Sequence, residues 1–166
     1  MPCIWSRYEP HPLPSYKSTC FFAPQDSDLK GFGCLFPRGQ GFHALGVLFN
    51  DCLFEGHSRG ARSETWILGG AGQDDIVACD QEQILRRILE DRARLGSDFV
   101  RPLHFELTGW PRAIPHYTVE WEATLKAGLR AEPPLYLHGN YLGGLGLSKI
   151  YSASRALASR LRQASL

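Results

Sequence analysis

The stretch of sequence richest in residues that could do chemistry is a glycine-rich segment, LYLHGNYLGGLGLSKIYSASRALASRL, at residues 135–161. It predicts a strand, a glycine turn and a helix. Gly143, Gly144 and Gly146 leave backbone amides bare, and the helix that follows directs about half a positive charge at its N-terminus. An anion or an electron-rich carbonyl would be stabilised there. Such glycines also occur for tight packing alone, so the local pattern leaves both a ligand site and a packing turn open.

This turn does not fit the first unit of a dinucleotide-binding fold. Such a unit has the pattern G-x-G-x-x-G and an acidic residue about 20 residues later that binds the ribose. Gly144 and Gly146 fit the first two positions, but Lys149 occupies the third and no Asp or Glu follows. The pattern instead predicts a last strand-and-helix unit, whose helix faces a ligand held mainly by earlier parts of the fold.

A second unusual segment is WPRAIPHY, at residues 110–117. Its two prolines fix the backbone, while Trp110, His116 and Tyr117 offer flat faces and polar tips. His116 has the right chemistry for a base near neutral pH. A rigid crossover between subdomains is the simpler explanation of the segment.

Composition limits the class of protein and its partners. The chain has 166 residues, 43% hydrophobic and 21% charged, which suits one domain with an ordinary core. The 18 basic and 17 acidic residues are well mixed, so neither nucleic acid nor anionic lipid is an expected partner. No segment approaches the roughly 20 apolar residues of a membrane span, and the N-terminus lacks the apolar stretch of a signal peptide. We expect a soluble, cytoplasmic protein.

Cysteines and histidines show no metal-binding or disulfide spacing. The five cysteines are odd in number and far apart, which favours reduced, buried thiols. The six histidines form no H-x-x-x-H or H-E-x-x-H pair, so no metal is expected. His57 and His138 are interpreted as a surface and a core residue respectively.

Hydrophobic periodicity and turn residues predict the elements that must position these segments. Residues 1–30 are expected to be poorly structured apart from a short strand at 19–23. Further strands are predicted at residues 31–37, 43–50, 64–69, 99–110 and 135–139. Helices are predicted at residues 80–95, 119–131 and 148–163. In the first helix, Asp80 is the expected N-cap with Gln83 completing a capping box, and Glu82–Arg86 and Glu90–Arg94 are spaced for i,i+4 ion pairs.

The predicted fold class is α+β: an antiparallel sheet of about four strands with packed helices, plus a C-terminal strand–glycine turn–helix unit. Residues 1–166 are expected to form a single domain. Within it, residues 31–117 would supply the sheet and its helix, and residues 118–166 a helix and the C-terminal unit.

Taken together, the two unusual segments resemble the C-terminal part of the protoporphyrinogen oxidase branch of the FAD-dependent amine oxidase-like flavoproteins. That family has W-x-x-A-I-P-x-Y before a helix, then L-x-L-x-G-N, a glycine turn and a final helix. The corresponding residues here are Trp110, Ala113, Ile114, Pro115 and Tyr117, followed by LYLHGN and GGLGLSKIYSAS. GFGCLFPR, ALGVLFN and ETWILGGAG resemble earlier strands of the family, so the likeness covers about residues 29–161.

The resemblance implies an oxidoreductase that uses FAD, in which substrate hydride passes to the flavin and the protein supplies position and electrostatics. No side chain of this chain would be a catalytic acid or base. The residues implied to border the cofactor are Gly139, Asn140, Tyr141, Gly143, Gly144, Gly146 and Leu147. Trp110, Pro115 and Tyr117 would lie on the substrate side.

The resemblance also bears on partners. The family's FAD-binding half, with its G-x-G-x-x-G turn, is not among these residues, so a partner subunit that carries it is expected. The chain would then be a split-gene subunit or a truncation of a flavoenzyme. The alternative is a non-enzymatic binding or dimerisation module, in which a homodimer covers the edge of the last strand. Ser148, Lys149 and Ile150 stand where the family often has P-D-C-I, so the sequence does not identify the substrate.

Overall fold

The protein is described here from a computed structural model, which covers residues 12–26, 28–53, 55–56, 58–127, 135–142 and 144–164. The strands are β1 (Pro12–Phe22), β2 (Gly33–Leu35), β3 (Ala44–Phe49), β4 (Arg62–Gly69) and β5 (His104–Pro115). The helices are α1 (Asn50–Leu53), α2 (Gln81–Arg94), α3 (Val119–Ala127) and α4 (Leu147–Ala164). The chain divides into two compact units, one of residues 12–114 and one that contains the described residues from 115 onward.

One sheet contains all five strands, in the order β2-β3-β4-β1-β5. The pairs β2–β3, β3–β4 and β4–β1 are antiparallel. The predicted α+β class with an antiparallel sheet is confirmed, with five strands where about four were expected. The strands predicted at residues 31–37, 43–50 and 64–69 correspond to β2, β3 and β4, each within a few residues.

Strand β1 runs through the interior of the sheet, between β4 and β5. Every second residue of the strand is buried, from Pro14 through Tyr16, Ser18 and Cys20 to Phe22. The expectation of poor structure over residues 1–30 is therefore wrong for this strand, which is 11 residues long rather than confined to residues 19–23. The pattern was hidden because a proline and a serine belong to the buried face. Residues 1–11 lie outside the described part of the chain.

Helix α2 covers one face of the sheet, and its start is fixed by the predicted capping box. The Asp80 carboxylate accepts from the Gln83 amide at 2.8 Å, and the Gln83 side chain accepts from the Asp80 amide at 2.9 Å. The apolar stripe of the helix packs into the core beside strand residues such as Trp66 and Val47; it consists of Ile84, Leu85, Ile88 and Leu89. The sequence pattern therefore placed this helix correctly.

The predicted i,i+4 ion pairs on the outer face of α2 do not form. Glu82 pairs instead with Arg101 at 2.6 Å, and Glu90 with His43 at 3.1 Å. Both partners lie outside the helix, so these pairs join α2 to the segments around it. An exposed side chain reaches whichever partner the tertiary structure offers, and sequence spacing alone does not show this.

An ion pair is buried beneath α2. The Arg92 guanidinium donates through Nε to both Glu64 oxygens at 3.1 and 3.2 Å, and Trp66 Nε1 donates to Glu64 Oε2 at 3.0 Å. The other guanidinium nitrogens bind the carbonyls of Asp98 and Asp26 at 2.9 and 2.5 Å. Arg92 thus connects the helix, strand β4 and two loops, and its donors are matched by acceptors as a buried charge requires.

Asp91, on the same helix, holds the start of β3. Its carboxylate accepts from the Ala44 amide at 2.7 Å and from the His43 amide at 2.9 Å. Burial raises the pKa of this carboxyl, and the two amide donors oppose that rise. The contact fixes where β3 begins relative to α2.

Strand β5 is an edge strand, and the prediction of a strand at residues 99–110 was displaced: the strand is His104–Pro115. An edge strand tolerates proline because one side of its backbone needs no ladder hydrogen bonds, which explains how Pro111 and Pro115 lie within it. Gly109 lies under the Tyr16 ring, since a Cβ at that position would be 2.4 Å from Tyr16 Cε1. This close contact seats β5 against β1.

The unit from residue 115 onward is helical in its described part. Helix α3 ends at Ala127, and the predicted extension to residue 131 falls outside the described residues. The strand predicted at residues 135–139 was wrong: the described residues there form no strand, and Asn140–Leu142 form a 3-10 turn. A strand needs a neighbour to receive its backbone hydrogen bonds, and an apolar pattern cannot supply one. The edge that a homodimer was expected to cover is therefore not present in this form.

Two further results concern the expectations on membranes and cysteines. Within the described residues, no helix is both long and apolar enough to cross a bilayer. Cys20, Cys34, Cys52 and Cys79 are free thiols. Cys52 is exposed, so the expectation that the cysteines are buried was wrong for this residue.

Candidate functional site

The candidate site is the glycine turn and the start of α4. Its first part is the 3-10 turn, which is closed by hydrogen bonds from the Leu142 amide to the Gly139 carbonyl at 3.2 Å and from the Gly144 amide to the Asn140 carbonyl at 3.3 Å. A Cβ at Gly139 would lie 2.5 Å from Tyr141 Cε1, so the ring of Tyr141 rests directly on this glycine. Gly139 is therefore a packing glycine.

Two aromatic side chains, one just before α3 and one within it, hold this turn. The Tyr117 hydroxyl donates to the Asn140 carbonyl, and Trp121 Nε1 donates to the Tyr141 carbonyl at 3.0 Å. Trp121 is the one buried residue of α3. Thr118 starts this helix, because its hydroxyl accepts from the Trp121 amide at 3.2 Å.

The second part of the site is the N-terminus of α4. The Gly146 carbonyl accepts from the amides of Lys149 at 3.0 Å and Ile150 at 3.1 Å, so Gly146 is the residue that caps the helix. In the part of the chain that the structure describes, the amides of Leu147 and Ser148 have no acceptor. The positive end of an 18-residue helix is thus open to whatever binds there.

Gly144 and Gly146 differ in what surrounds them. A Cβ at Gly144 would be 2.9 Å from Lys149 Cβ, so this glycine makes room for the stem of Lys149. A Cβ at Gly146 would meet nothing closer than Ser148 Oγ at 3.9 Å. Neither glycine has a positive φ. Packing explains Gly144, whereas neither packing nor backbone geometry explains Gly146.

Two cavities border the turn. The larger has a volume of about 330 Å³ and is lined by Tyr117, Gly144, Leu145, Gly146, Ser148 and Lys149. The smaller, of about 120 Å³, also borders Gly144 and is lined by His138, Gly139, Leu142, Gly144, Lys149, Ile150 and Ala153. Lys149 lines both, and its ammonium adds to the positive potential of the helix start.

His138 and Ser154 form a hydrogen-bonded pair at 2.8 Å beside the smaller cavity. Ser154 Oγ also donates to the Ile150 carbonyl at 2.9 Å. Because its proton goes to that carbonyl, the serine accepts from the imidazole and is not activated as a nucleophile. His138 is exposed, so its interpretation as a core residue was wrong.

The structure brings together most of the described residues that the resemblance assigned to a cofactor. Gly139, Gly144 and Gly146 line the cavities, and the carbonyls of Asn140 and Tyr141 accept from Tyr117 and Trp121. Leu147 is the first residue of α4 and is 85% exposed. Gly143 lies outside the described residues.

The substrate-side residues fall into two groups. Trp110 lies on β5, in the unit of residues 12–114, and is 47% exposed. Pro115 and Tyr117 lie in the other unit, where Tyr117 lines the larger cavity and binds the turn. The substrate-side roles of all three stay predictions.

Sequence reasoning missed two residues of this site. Lys149 lines both cavities, and its position where a dinucleotide-binding turn has its third glycine was a usable signal. Trp121 donates a hydrogen bond to the turn. Its signal in the sequence was weaker, because it is only a single large aromatic residue in a short, acidic helix.

Part of a flavin fits these residues better than a whole dinucleotide does. Ligand pockets usually measure about 300–1,000 Å³, so the larger cavity, at about 330 Å³, accommodates a ring system only. The free amides of Leu147 and Ser148 suit an electron-rich ring edge, and Gly146 allows it a close approach. The described residues contain no group of three or more side chains that could hold a metal ion.

Comparison with known proteins finds sequence similarity to protoporphyrinogen oxidases. The chain is 27% identical over 159 residues to the chloroplastic protoporphyrinogen oxidase of Oryza sativa subsp. japonica, which aligns 91% of this chain with 29% of that protein. It is 30% identical over 146 residues to the chloroplastic protoporphyrinogen oxidase of Nicotiana tabacum, with 82% of this chain and 26% of that protein covered. No protein-family model matches the chain.

A solved structure agrees at the level of the fold. The crystal structure of a protoporphyrinogen oxidase-like protein from Exiguobacterium sp. 255-15 superposes with a TM-score of 0.76 and 18% identity, covering 90% of this chain and 34% of that one. The chain is therefore similar in fold to part of that protein. In sequence, the chain is related to part of protoporphyrinogen oxidase, and the resemblance inferred from its motifs is confirmed. The chain spans between a quarter and a third of the length of the plant proteins it matches.

Proposed function

We propose that this chain contributes the flavin-facing turn and the substrate-side sheet of an FAD-dependent oxidoreductase similar to protoporphyrinogen oxidase. The observation that carries the proposal is the start of α4, where two free amides follow an unobstructed glycine that lines a cavity of about 330 Å³. The sequence similarity to plant protoporphyrinogen oxidases supports it independently.

In this proposal the chain's own residues bind and orient the cofactor. The amides of Leu147 and Ser148 donate to the edge of the ring system that gains electron density, and Lys149 adds positive charge near it. Gly146 permits the ring to approach the backbone, and Gly144 makes room for the lysine stem. When bound, FAD supplies the two-electron acceptor, and no side chain of this site is needed to move a proton.

The cavity size predicts how the cofactor is shared. Since about 330 Å³ accommodates only part of FAD, the pyrophosphate and adenosine would be held by other polypeptide. The plant relatives contain roughly three times as much chain outside the matched region as within it. A partner that supplies an equivalent portion therefore belongs to the proposal.

The first experiment is a titration of the purified chain with FAD, followed by flavin fluorescence and absorbance. It is run alone and with the remainder of the tobacco chloroplastic enzyme expressed as a separate chain. We expect saturable binding at least in the mixture, and loss of that binding in the double variant Gly144→Val, Gly146→Val.

Two results would contradict the proposal. Absence of saturable FAD binding both alone and in the mixture would exclude a flavin site at this turn. Binding that persists in the double variant would place the flavin elsewhere. In the first case, light scattering of the same sample would test the alternative of a non-enzymatic dimerisation module directly.

A further inference from the structure

The two hydrogen bonds from Tyr117 and Trp121 to the turn constrain its backbone. They are directed at the carbonyls of Asn140 and Tyr141, which are consecutive in the chain. The Asn140 carbonyl also accepts from the Gly144 amide at 3.3 Å, so the Tyr117 hydroxyl and Gly144 share one acceptor. The Tyr117 hydroxyl therefore binds the same carbonyl as Gly144, the glycine that lines both cavities.

Peptide geometry extends the effect to the amides. In a planar trans peptide the N–H points opposite to the C=O. Fixing the Asn140 carbonyl toward Tyr117 therefore directs the Tyr141 N–H away from Tyr117. The next amide, that of Leu142, is already engaged with the Gly139 carbonyl. The backbone of the turn is thus held in one orientation by groups that lie outside it.

Burial of Trp121 and packing of Tyr141 both limit movement of the turn. Trp121 is 6% exposed, so its indole N–H has little competition from water. The ring of Tyr141 lies against Gly139, which limits how far the turn can rotate. Tyr117 itself lines the larger cavity, between the turn and the start of α4.

We propose that Tyr117 is a positioning residue for the flavin: its hydroxyl, assisted by the Trp121 indole, presets the backbone from Gly139 to Leu142 so that it fits the cofactor before binding. This inference rests on the proposed function and replaces the substrate-side role expected of Tyr117. Preorganisation of this kind raises affinity because the binding free energy is not used to order the turn.

The test compares Tyr117→Phe with Tyr136→Phe. Both changes remove one phenolic oxygen, but Tyr136 is an exposed residue at 44% and does not bind the turn. Three quantities are measured for each variant: the dissociation constant for FAD, under the conditions in which the unaltered chain binds it; hydrogen exchange of the amides from Gly139 to Gly144; and the thermal midpoint without FAD.

We expect Tyr117→Phe to weaken FAD binding about five- to tenfold, the effect of about one net hydrogen bond. The Leu142 and Gly144 amides should exchange faster, and the absorption spectrum of the bound flavin should shift. The thermal midpoint should stay within the range set by Tyr136→Phe. Trp121→Phe, which removes the second donor but retains an aromatic ring, should change exchange in the same direction.

Three results would overturn the inference. Equal FAD affinity in Tyr117→Phe and Tyr136→Phe would remove the positioning role while leaving the flavin site intact. A fall in thermal midpoint with faster exchange throughout α3 would make the contact merely structural. If the unaltered chain binds no FAD alone or in the mixture, the proposed function fails as well, and the exchange data then report a turn with no cofactor to position.

Discussion

At the scale of single residues, Gly144 and Gly146 have different explanations: packing accounts for the first, and the proposed ligand for the second. Gly144 is crowded by Lys149, while Gly146 faces open space at the cap of α4. A side chain at Gly146 would project into the cavity, yet it would meet no protein atom closer than 3.9 Å from its Cβ. Glycine at this position therefore serves the ligand in the proposed function rather than the fold.

This difference predicts the outcome of Gly146→Ser. Serine caps helices at least as well as glycine, and its hydroxyl can accept from the Lys149 amide, so the thermal midpoint should be unchanged or higher. FAD binding should weaken about tenfold, since the new side chain occupies the space beside residue 146 and its hydroxyl binds an amide at the N-terminus of α4. Thermal unfolding and FAD titration of the same preparation measure both effects.

Gly144→Ser is the matched control for that experiment. Its Cβ would lie 2.9 Å from Lys149 Cβ, so we expect a lower thermal midpoint. A destabilised Gly146→Ser variant, or one that binds FAD normally, would show that Gly146 has no special place in the site.

The buried ion pair yields a second prediction at this scale. Arg92→Met would leave the Glu64 carboxylate in the core without its guanidinium, and we expect the free energy of unfolding to fall by about 3–5 kcal/mol. Urea denaturation followed by tryptophan fluorescence measures this. The double variant Glu64→Gln, Arg92→Met should recover part of the loss, because the buried charge is then absent.

Arg101→Met provides the comparison for Arg92→Met. It breaks the exposed pair with Glu82, and exposed pairs contribute little to stability. If the two single variants were equally destabilised, burial would not be the cause.

The cysteines differ in reactivity for a physical reason. Burial raises the pKa of the Cys20 thiol to about 11, and the residue has no exposed surface, whereas Cys52 is exposed. We expect iodoacetamide at pH 8 to label Cys52 rapidly and Cys20 only after unfolding, as measured by peptide mass spectrometry. Native labelling of both at similar rates would contradict the described core.

The raised pKa of Cys20 also fixes the sign of a pH effect. The thiol is harder to ionise in the folded protein than in the unfolded chain, where its pKa is about 8.5. Its contribution to stability is therefore complete below that pH and is lost as the pH rises toward 11. Cys20→Ala should lack this part of the alkaline destabilisation.

At the scale of elements, the start of α2 is the feature that the sequence specified best. Asp80→Ala removes the side-chain acceptor of the capping box and should lower the free energy of unfolding by about 1 kcal/mol. Asp74→Ala, an exposed acidic residue in the preceding 3-10 turn, serves as a control that should change stability less. Urea denaturation of both variants measures the difference.

How well an element could be predicted depended on whether its own residues decide its structure. Helix α2 carries its cap and its apolar stripe within 16 residues, so local pattern was sufficient. In strand β1 the buried face includes Pro14 and Ser18, which interrupt the apolar pattern of the sequence. These residues are buried only because β4 and β5 flank them. The strand expected at residues 135–139 has an apolar pattern but no strand partner in the described structure.

The candidate site shows the same limit. Sequence placed the glycine turn before a helix, and the structure puts that turn beside two cavities. It did not reveal that α3 holds the turn, because the contact between Trp121 and Tyr141 spans 20 residues and leaves no periodic signal. Nor did it separate the roles of Gly144 and Gly146, which depend on where the Lys149 side chain lies.

At the scale of the whole molecule, the stabilising core lies in one unit. Every residue of the main core cluster lies between Tyr16 and Leu89, and the buried ion pair and the capping box lie in the same range of the chain or close to it. The unit from residue 115 onward contributes the turn, α3 and α4, with Trp121 as its described buried hydrophobic residue. Stability and the candidate cofactor site are therefore carried by different parts of the chain.

This division predicts that residues 12–114 fold when expressed alone. That segment includes the complete core cluster, all of α2 and all but the last residue of β5. Trp66 is fully buried there and Trp110 is 47% exposed, so the change in tryptophan fluorescence should come mainly from Trp66 and report a single cooperative transition in urea. Leu68→Ala, which empties part of the same core, should move that transition to lower urea, equivalent to about 2–5 kcal/mol. A segment that lacked a cooperative transition, or that was insensitive to Leu68→Ala, would show that the sheet depends on the remainder of the chain for its folding.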